Sequence, residues 1–280
     1  MDNMNGCKLT FIDLFAGAGG LSEGFVTNGF IPIAHVEMNP EAANTLKTRM
    51  CYHWLKNTDG SVYQEYLKGI VSREQLYQSV PKSILNTVIN KEMSEENLPD
   101  VFSIVDELMA KNAVNTIDLV VGGPPCQAYS LVGRARSEDN MFNDPRNHLY
   151  KLYCKFLQRY RPEMFVFENV PGLLNASNGL YFSLIQQYFR NVGYELEYRV
   201  LNASDFGVLQ NRLRVILVGW RSKLNLTYPE LCMVNRSWVV GDLLDDLPPL
   251  QAGESGTGYS EKSLKGYLKE FELRTDNDQC

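Results

Sequence analysis

Three short segments of this chain carry side chains that could do chemistry. Gly122-Gly123-Pro124-Pro125-Cys126-Gln127 sets a thiol directly behind two prolines. The prolines pre-set the local backbone and restrict the residues before them, so the direction of the thiol is fixed. Such a thiol becomes a nucleophile when nearby positive charge or a helix N-terminus lowers its pKa. The bland alternative is a small buried apolar residue, the commoner role of a lone cysteine. Phe167-Glu168-Asn169-Val170 ends an apolar run in a carboxylate and an amide. A partly buried glutamate there holds its proton more tightly and can donate it, whereas a solvated one is inert. Gln210-Asn211-Arg212-Leu213-Arg214 puts two arginines one residue apart at a strand start, hence on one face. That arrangement suits phosphate or base-oxygen contacts and is weak evidence alone.

A fourth segment concerns a ligand rather than a reaction. Ala16-Gly17-Ala18-Gly19-Gly20 follows a β-rich run and precedes a helical pattern. A glycine turn of this kind lets backbone approach a ligand closely, at a helix N-terminus that favours polar or anionic groups. The dinucleotide fingerprint requires a third glycine where this chain has Ser22. Glu37 ends the next strand, where an acidic side chain can accept both hydroxyls of a ribose. These residues point to an adenosine-containing cofactor without saying which; a turn that merely closes a βα corner is the competing reading.

The elements that must position these residues read as a doubly wound, mostly parallel α/β sheet of Rossmann type. Lys8–Leu14 and Ile31–Val36 are strands, with a helix through about Asn28 between them and another opening at Asn39-Pro40-Glu41. Residues 52–99 read as a helical insertion. Ile117–Val121 and Met164–Phe167 are further buried strands, and Tyr181–Asn191 is an amphipathic helix. Tyr194–Leu201 and Val215–Trp220 read as a closing antiparallel strand pair. Residues 1–223 form the expected catalytic and cofactor-binding domain. Residues 224–280 read as a linker and the start of a further region, with a short helix at Tyr267–Leu273.

Composition narrows the class. A chain of 280 residues, 44% hydrophobic, can bury a sizeable core. No apolar run reaches the roughly 20 residues a membrane helix needs. The first residues lack a signal peptide's basic and apolar regions, and the six cysteines are scattered with no Cys-x-x-Cys pair. A reduced cytoplasmic protein with no metal site and no membrane contact is expected. The net charge of −6 is awkward for a nucleic-acid binder, yet it is unevenly spread. Residues 151–223 carry ten Lys/Arg against five Asp/Glu, and residues 230–280 carry five against ten. Charge alone does not identify a substrate.

Taken in order, these blocks resemble the C5-cytosine-specific DNA methyltransferase family. Phe11-Ile12-Asp13-Leu14-Phe15-Ala16-Gly17-Ala18-Gly19-Gly20 is similar to its cofactor motif, and Gly123-Pro124-Pro125-Cys126-Gln127-Ala128-Tyr129-Ser130 to its nucleophile loop. Asp144-Pro145-Arg146-Asn147-His148-Leu149, Glu168-Asn169-Val170 and Gln210-x-Arg212-x-Arg214 follow in family order. The resemblance implies S-adenosylmethionine as cofactor, held by Phe15, Gly17, Gly19, Gly20, Leu21, Glu37, Met38, Pro125 and Leu149. Asp100, with Val101, is the first choice for the carboxylate facing the adenine amino group, and Asp106 the second. Cys126 is implied as nucleophile and Glu168 as its proton partner at the base, with Asn169, Arg212 and Arg214 orienting the glutamate and the base. The loop Ser130–Asn143, with Arg134 and Arg136, would close over a base flipped out of double-stranded DNA.

The family pattern continues into a target-recognition domain and a final block with a Gly-Asn pair, and residues 224–280 contain no such pair. A split enzyme with a second subunit, a shortened chain and a degenerate homologue all fit. The expected role is methylation of cytosine in DNA, within a restriction–modification system. A transfer-RNA cytosine methyltransferase and a non-catalytic subunit are the rival readings.

Overall fold

The computed structural model describes residues 8–125, 149–234, 239, 241, 248 and 250–255. Cys126, the Ser130–Asn143 loop and the Tyr267–Leu273 segment lie outside the described residues. The chain divides into two compact units, residues 1–200 with 215–228, and residues 201–214 with 229–280. Tyr228 packs with Val218 and Trp220 of the first unit, and the 201–214 segment groups with later residues.

The first unit is built on a seven-stranded sheet of order β3-β2-β1-β4-β5-β7-β6. Its strands are β1 (Thr10–Leu14), β2 (Ile31–Glu37), β3 (Val88–Asn90), β4 (Leu119–Gly122), β5 (Met164–Asn169), β6 (Tyr194–Asn202) and β7 (Leu213–Arg221), the last two extending into the second unit. The pairs β1/β2, β1/β4, β2/β3 and β4/β5 are parallel, and β7 lies antiparallel to β5. Order and directions match the expected doubly wound sheet. The helices are α1 (Gly20–Thr27), α2 (Pro40–Lys56), α3 (Ser61–Leu67), α4 (Arg73–Gln78), α5 (Lys82–Asn86), α6 (Leu98–Lys111), α7 (Leu149–Tyr160), α8 (Gly172–Asn175) and α9 (Leu180–Asn191). Among the described residues no helix is long and apolar enough to cross a membrane.

The strand between Val88 and Asn90 is a finding that the sequence pattern did not yield. Residues 52–99 do carry helices, as expected, yet they also return to the sheet and pair β3 with His35–Glu37. Three residues are too few to show a period of two, which is why the segment reads as purely helical.

Burial along the strands follows their place in the sheet. All five residues of β1 and all four of β4 are buried, as in a parallel sheet covered on both faces. β5 instead alternates: Phe165, Phe167 and Asn169 are buried, while Met164, Val166 and Glu168 are half-buried. The buried face of β5 meets an aromatic cluster. Phe189 stands 4.5 Å from Phe165 and 5.5 Å from Phe167, ring centre to ring centre, and Tyr153 stands 5.4 Å from Phe167. Removing one such ring costs about 3–5 kcal/mol. This cluster fixes β5 against α7 and α9, so the odd-numbered positions turn inward and Glu168 is left on the more open face.

Two local devices brace the parallel strands, one at each end. Asp118 accepts hydrogen bonds from the Thr10 amide at 2.7 Å and the Thr10 hydroxyl at 2.8 Å, tying the start of β1 to the start of β4. At the other end Asn39 caps α2, its Oδ1 accepting from the Glu41 and Ala42 amides at 2.9 and 3.0 Å, with Pro40 at the first helical position. A cap of this kind is worth about 1 kcal/mol, and it anchors the chain where β2 delivers Glu37.

Candidate active site

The carboxyl ends of β1, β2, β4 and β5 carry the candidate residues. Leu14 lies opposite Gly122, and Gly122 opposite Phe167, so Phe15, Gly123 and Glu168 emerge from neighbouring strands at one edge. Phe15 adopts a left-handed backbone, φ +58°, which a non-glycine residue takes at a cost of about 1–3 kcal/mol. Gly19 has φ +84°, and a Cβ there would come within 2.5 Å of Leu46 on α2. Only glycine lets α1 and α2 close on each other at this corner.

A cavity of about 650 Å³ opens at this edge, within the usual range for a small-molecule site. Phe15, Val36, Met38, Met93, Pro125, Leu149 and Leu152 supply its apolar walls, and Glu37, Asn39, Lys91, Glu92, Ser94, Glu95 and Lys151 its polar ones. Glu37 is held by backbone alone. One carboxylate oxygen accepts from the Gly17 amide at 2.8 Å and the other from the Asn39 amide at 2.7 Å. Charge-assisted bonds of this kind are about twice as strong as neutral ones. Asn90 of β3 donates to the Glu37 and Met38 carbonyls at 2.8 and 3.0 Å, fixing the neighbouring backbone.

Of the residues expected around the cofactor, Phe15, Glu37, Met38, Pro125 and Leu149 line the cavity. Gly17 and Gly19 shape the turn behind it, and Gly20 opens α1. Leu21 packs instead with Phe11 and Phe25 between α1 and the sheet. Asp100 and Val101 are also placed elsewhere. Asp100 lies on α6 and pairs with Lys91 at 2.8 Å, and Val101 is fully buried in the main core. Asp106 pairs with Arg159 and accepts from the Tyr160 hydroxyl. Besides Glu37, the acidic side chains that line the wall are Glu92 and Glu95, in the segment joining β3 to α6. Recognising β3 would have found them, because a ligand-binding loop follows each strand of such a sheet.

Across the edge Glu168 is half-buried and its carboxylate lies over Gly123: a Cβ on Gly123 would stand 2.7 Å from Glu168 Oε2. Asn169 is buried and donates from Nδ2 to the Pro124 carbonyl at 3.2 Å, while its Oδ1 accepts from the Val170 amide at 2.9 Å. The amide thus holds the double-proline segment to the end of β5. Tyr153 adds a second tie, its hydroxyl within 2.9 Å of the Val120 carbonyl and 3.0 Å of the Val166 carbonyl. Arg212 and Arg214 belong to the 201–214 segment of the second unit. There the Arg212 amide donates to Asn202 Oδ1 at 2.8 Å, closing a tight loop between β6 and β7.

One ionic cluster braces the glycine turn from behind. Glu23 of α1 meets Arg49 at 2.6 Å and His53 at 3.1 Å, both on α2. Burial pushes the Glu23 carboxyl up, but its His53 and Arg49 partners outweigh that and hold it below the ordinary range. Among the described residues no group of His, Cys, Asp and Glu could hold a metal ion.

Comparison with known proteins identifies the family. The profile of the C-5 cytosine-specific DNA methylase family matches residues 9–81 and 85–270. The Type II methyltransferase M.Bpa9945I of Bacillus paralicheniformis is 38% identical over 270 residues, covering 86% of this chain and 61% of the relative. M1.HphI of Haemophilus parahaemolyticus, also a Type II methyltransferase, is 31% identical over 248 residues, covering 89% of this chain and 55% of the relative. The chain thus spans about three fifths of the length of these relatives. A crystal structure of a prophage-encoded DNA modification methyltransferase from E. coli superposes with a TM-score of 0.58 at 23% identity, over 87% of this chain and 56% of that one, and shows the shared fold. The family profile covers most of the chain, and the glycine turn, Gly123–Pro125 and Glu168-Asn169 lie at the carboxyl edge of one sheet: the chain belongs to the C-5 cytosine-specific DNA methylase family.

Proposed function

We propose that this chain transfers a methyl group from S-adenosylmethionine to carbon 5 of cytosine in DNA. One observation carries the reading: Gly123 and Pro125 line the cavity, while the Glu168 carboxylate packs on Gly123, so the acid lies against the backbone segment that walls the cavity. A methyl donor in the cavity and a base at the acid would be neighbours, as group transfer requires.

The residues present suit the cofactor. Glu37, with both oxygens oriented by backbone amides, offers its remaining lone pairs to ribose hydroxyls. Phe15, Met38 and Met93 give apolar surface for an adenine ring, and Glu92 in place of Asp100 is the acceptor for its amino group. Leu149 and Pro125 would flank the methionine part. Bound there, the cofactor supplies an electrophilic methyl group on a sulfonium sulfur.

The chain's side chains do the rest. Carbon 5 of cytosine is a poor nucleophile until carbon 6 is saturated. The Cys126 thiolate adds to carbon 6 while Glu168 gives a proton or hydrogen bond to ring nitrogen 3, and carbon 5 gains enamine character. After methyl transfer the proton on carbon 5 is lost and the thiolate leaves, which restores the ring. Asn169 keeps the nucleophile segment on β5, and Arg212 and Arg214 orient the base and its phosphates. The target must leave the stack, since a stacked base cannot present its face to a thiol. DNA as substrate, and a place in a restriction–modification system, follow from the family and from the Type II relatives.

The test is transfer of tritiated methyl from labelled cofactor to duplex DNA and, separately, to bulk transfer RNA. Label on carbon 5 of DNA cytosine, lost by at least 10³-fold in Cys126→Ser, is expected. Label on transfer RNA alone would replace the DNA reading, and binding without transfer to either would favour a non-catalytic subunit.

A further inference from the structure

Beneath the glycine turn two ionisable side chains meet away from solvent. Asp13 of β1 is 1% exposed and His35 of β2 is fully buried. They are direct cross-strand partners, with Oδ2 of the carboxylate 3.7 Å from Nδ1 of the ring. Neither carboxylate oxygen nor either ring nitrogen has a hydrogen-bond partner among the described residues. Phe11 stands edge-on to the imidazole at 5.8 Å, and the other groups close enough to bias Asp13 are Ser22 of α1, Glu37 of β2 and Tyr153 of α7. Burial raises the Asp13 carboxyl and His35 counters it.

A lone charge on either residue in this setting is strongly disfavoured, and a pair that holds one proton between carboxylate and imidazole carries no net charge wherever that proton sits. Two residues beyond each partner comes a wall of the cavity: Phe15 follows Asp13, and Glu37 follows His35. The strands are clamped just past the pair, where the Ala16 amide donates to the Val36 carbonyl at 3.0 Å and the Gly17 amide to Glu37. We propose that Asp13 and His35 are positioning residues for the cofactor, a buried cross-strand pair with no net charge between them that fixes β1 on β2 in the register that brings Phe15 and Glu37 to the cavity. The inference rests on the cofactor reading above. It adds a function for two residues that touch neither ligand nor base.

The experiment is titration of the full chain with S-adenosylhomocysteine by calorimetry, for the wild type, Asp13→Asn, His35→Gln and the double variant. Melting curves and steady-state methylation accompany each titration. Each single variant is expected to raise the ligand Kd at least fivefold and the cofactor KM in step, with kcat at saturating cofactor within about threefold. In the double variant, which again carries no charge and can pair amide to amide, the Kd rises by less than the product of the single effects. A folded single variant that binds like the wild type, strictly multiplicative effects, or kcat falling with an unchanged KM would each overturn the proposal. Should the single variants fail to fold, the double variant decides. Recovery of fold and binding supports the pair, and a double variant that also fails to fold assigns the residues to the core alone. A wild type that does not bind the ligand at all would instead refute the cofactor reading.

Discussion

The two sides of the catalytic edge are organised by different means. On the proposed cofactor side Glu37 is held by amides two and twenty residues away, within one βαβ unit. On the base side Glu168 and the double-proline segment come from strands more than forty residues apart, and sheet pairing, the Tyr153 hydroxyl and the Asn169–Pro124 bond bring them together. The first side is determined locally, the second by tertiary packing of β5 on its aromatic cluster. Damage to the first should therefore appear as lost affinity, and damage to the second as lost turnover.

The largest effect should come from Gly123→Ala. The added methyl meets Glu168 Oε2 at 2.7 Å and the Glu168 carbonyl at 3.3 Å, so the acid must move. A displacement near 1 Å costs on the order of 100-fold in rate. We expect kcat to fall by about that factor while the Kd for S-adenosylhomocysteine changes less than about threefold. Equal losses in both would show that the two sides are not separable. Next comes Glu37→Gln, which removes a charged acceptor from two amides and from the ligand. Charged hydrogen bonds contribute about 1.5–3 kcal/mol, so the cofactor KM should rise roughly 10- to 100-fold with kcat nearly unchanged. An unaltered KM would remove Glu37 from the site.

The smallest effect concerns the brace behind the turn. Because Glu23 is held below its ordinary value of 4.5, its contribution to stability is present above that pH and disappears as pH falls through the lower folded-state value. The cluster is partly exposed, and such pairs are worth about 0.2–1 kcal/mol. Glu23→Gln should lower Tm at pH 7 by about 1–3 °C and by almost nothing near pH 3. A gap between the melting curves that persists at acid pH would mean that Glu23 acts by packing.

Legibility in the sequence follows the same division. The β1–turn–α1–β2 unit could be read residue by residue, since strand, glycine turn, Asn39 cap and Pro40 are all local signals. Glu168 and Asn169 were legible as the end of an apolar run. Their opposite burial was not, because it depends on Phe189 and Tyr153 packing under one face of β5. That Glu92 lines the cavity and Asp100 does not was hidden for a related reason: β3 is only three residues long, and its pairing with β2 brings the loop carrying Glu92 to the cavity and leaves Asp100 on α6 beside Lys91. The pairing of Asp13 with His35 was equally hidden, since 22 residues and a helix separate two side chains that the parallel register sets side by side.

The most direct test of the account is covalent capture. The chain is incubated with S-adenosylmethionine and a duplex containing 5-fluorocytosine, in which fluorine replaces the proton that must be lost and so stalls the reaction after methyl transfer. Mass spectrometry is expected to find one DNA strand and one added methyl group joined to the chain through Cys126. Gly123→Ala should form this adduct about 100-fold more slowly and Cys126→Ser not at all. An adduct that persists in Cys126→Ser, or a complete absence of adduct with the wild-type chain while cofactor is bound, would contradict the account.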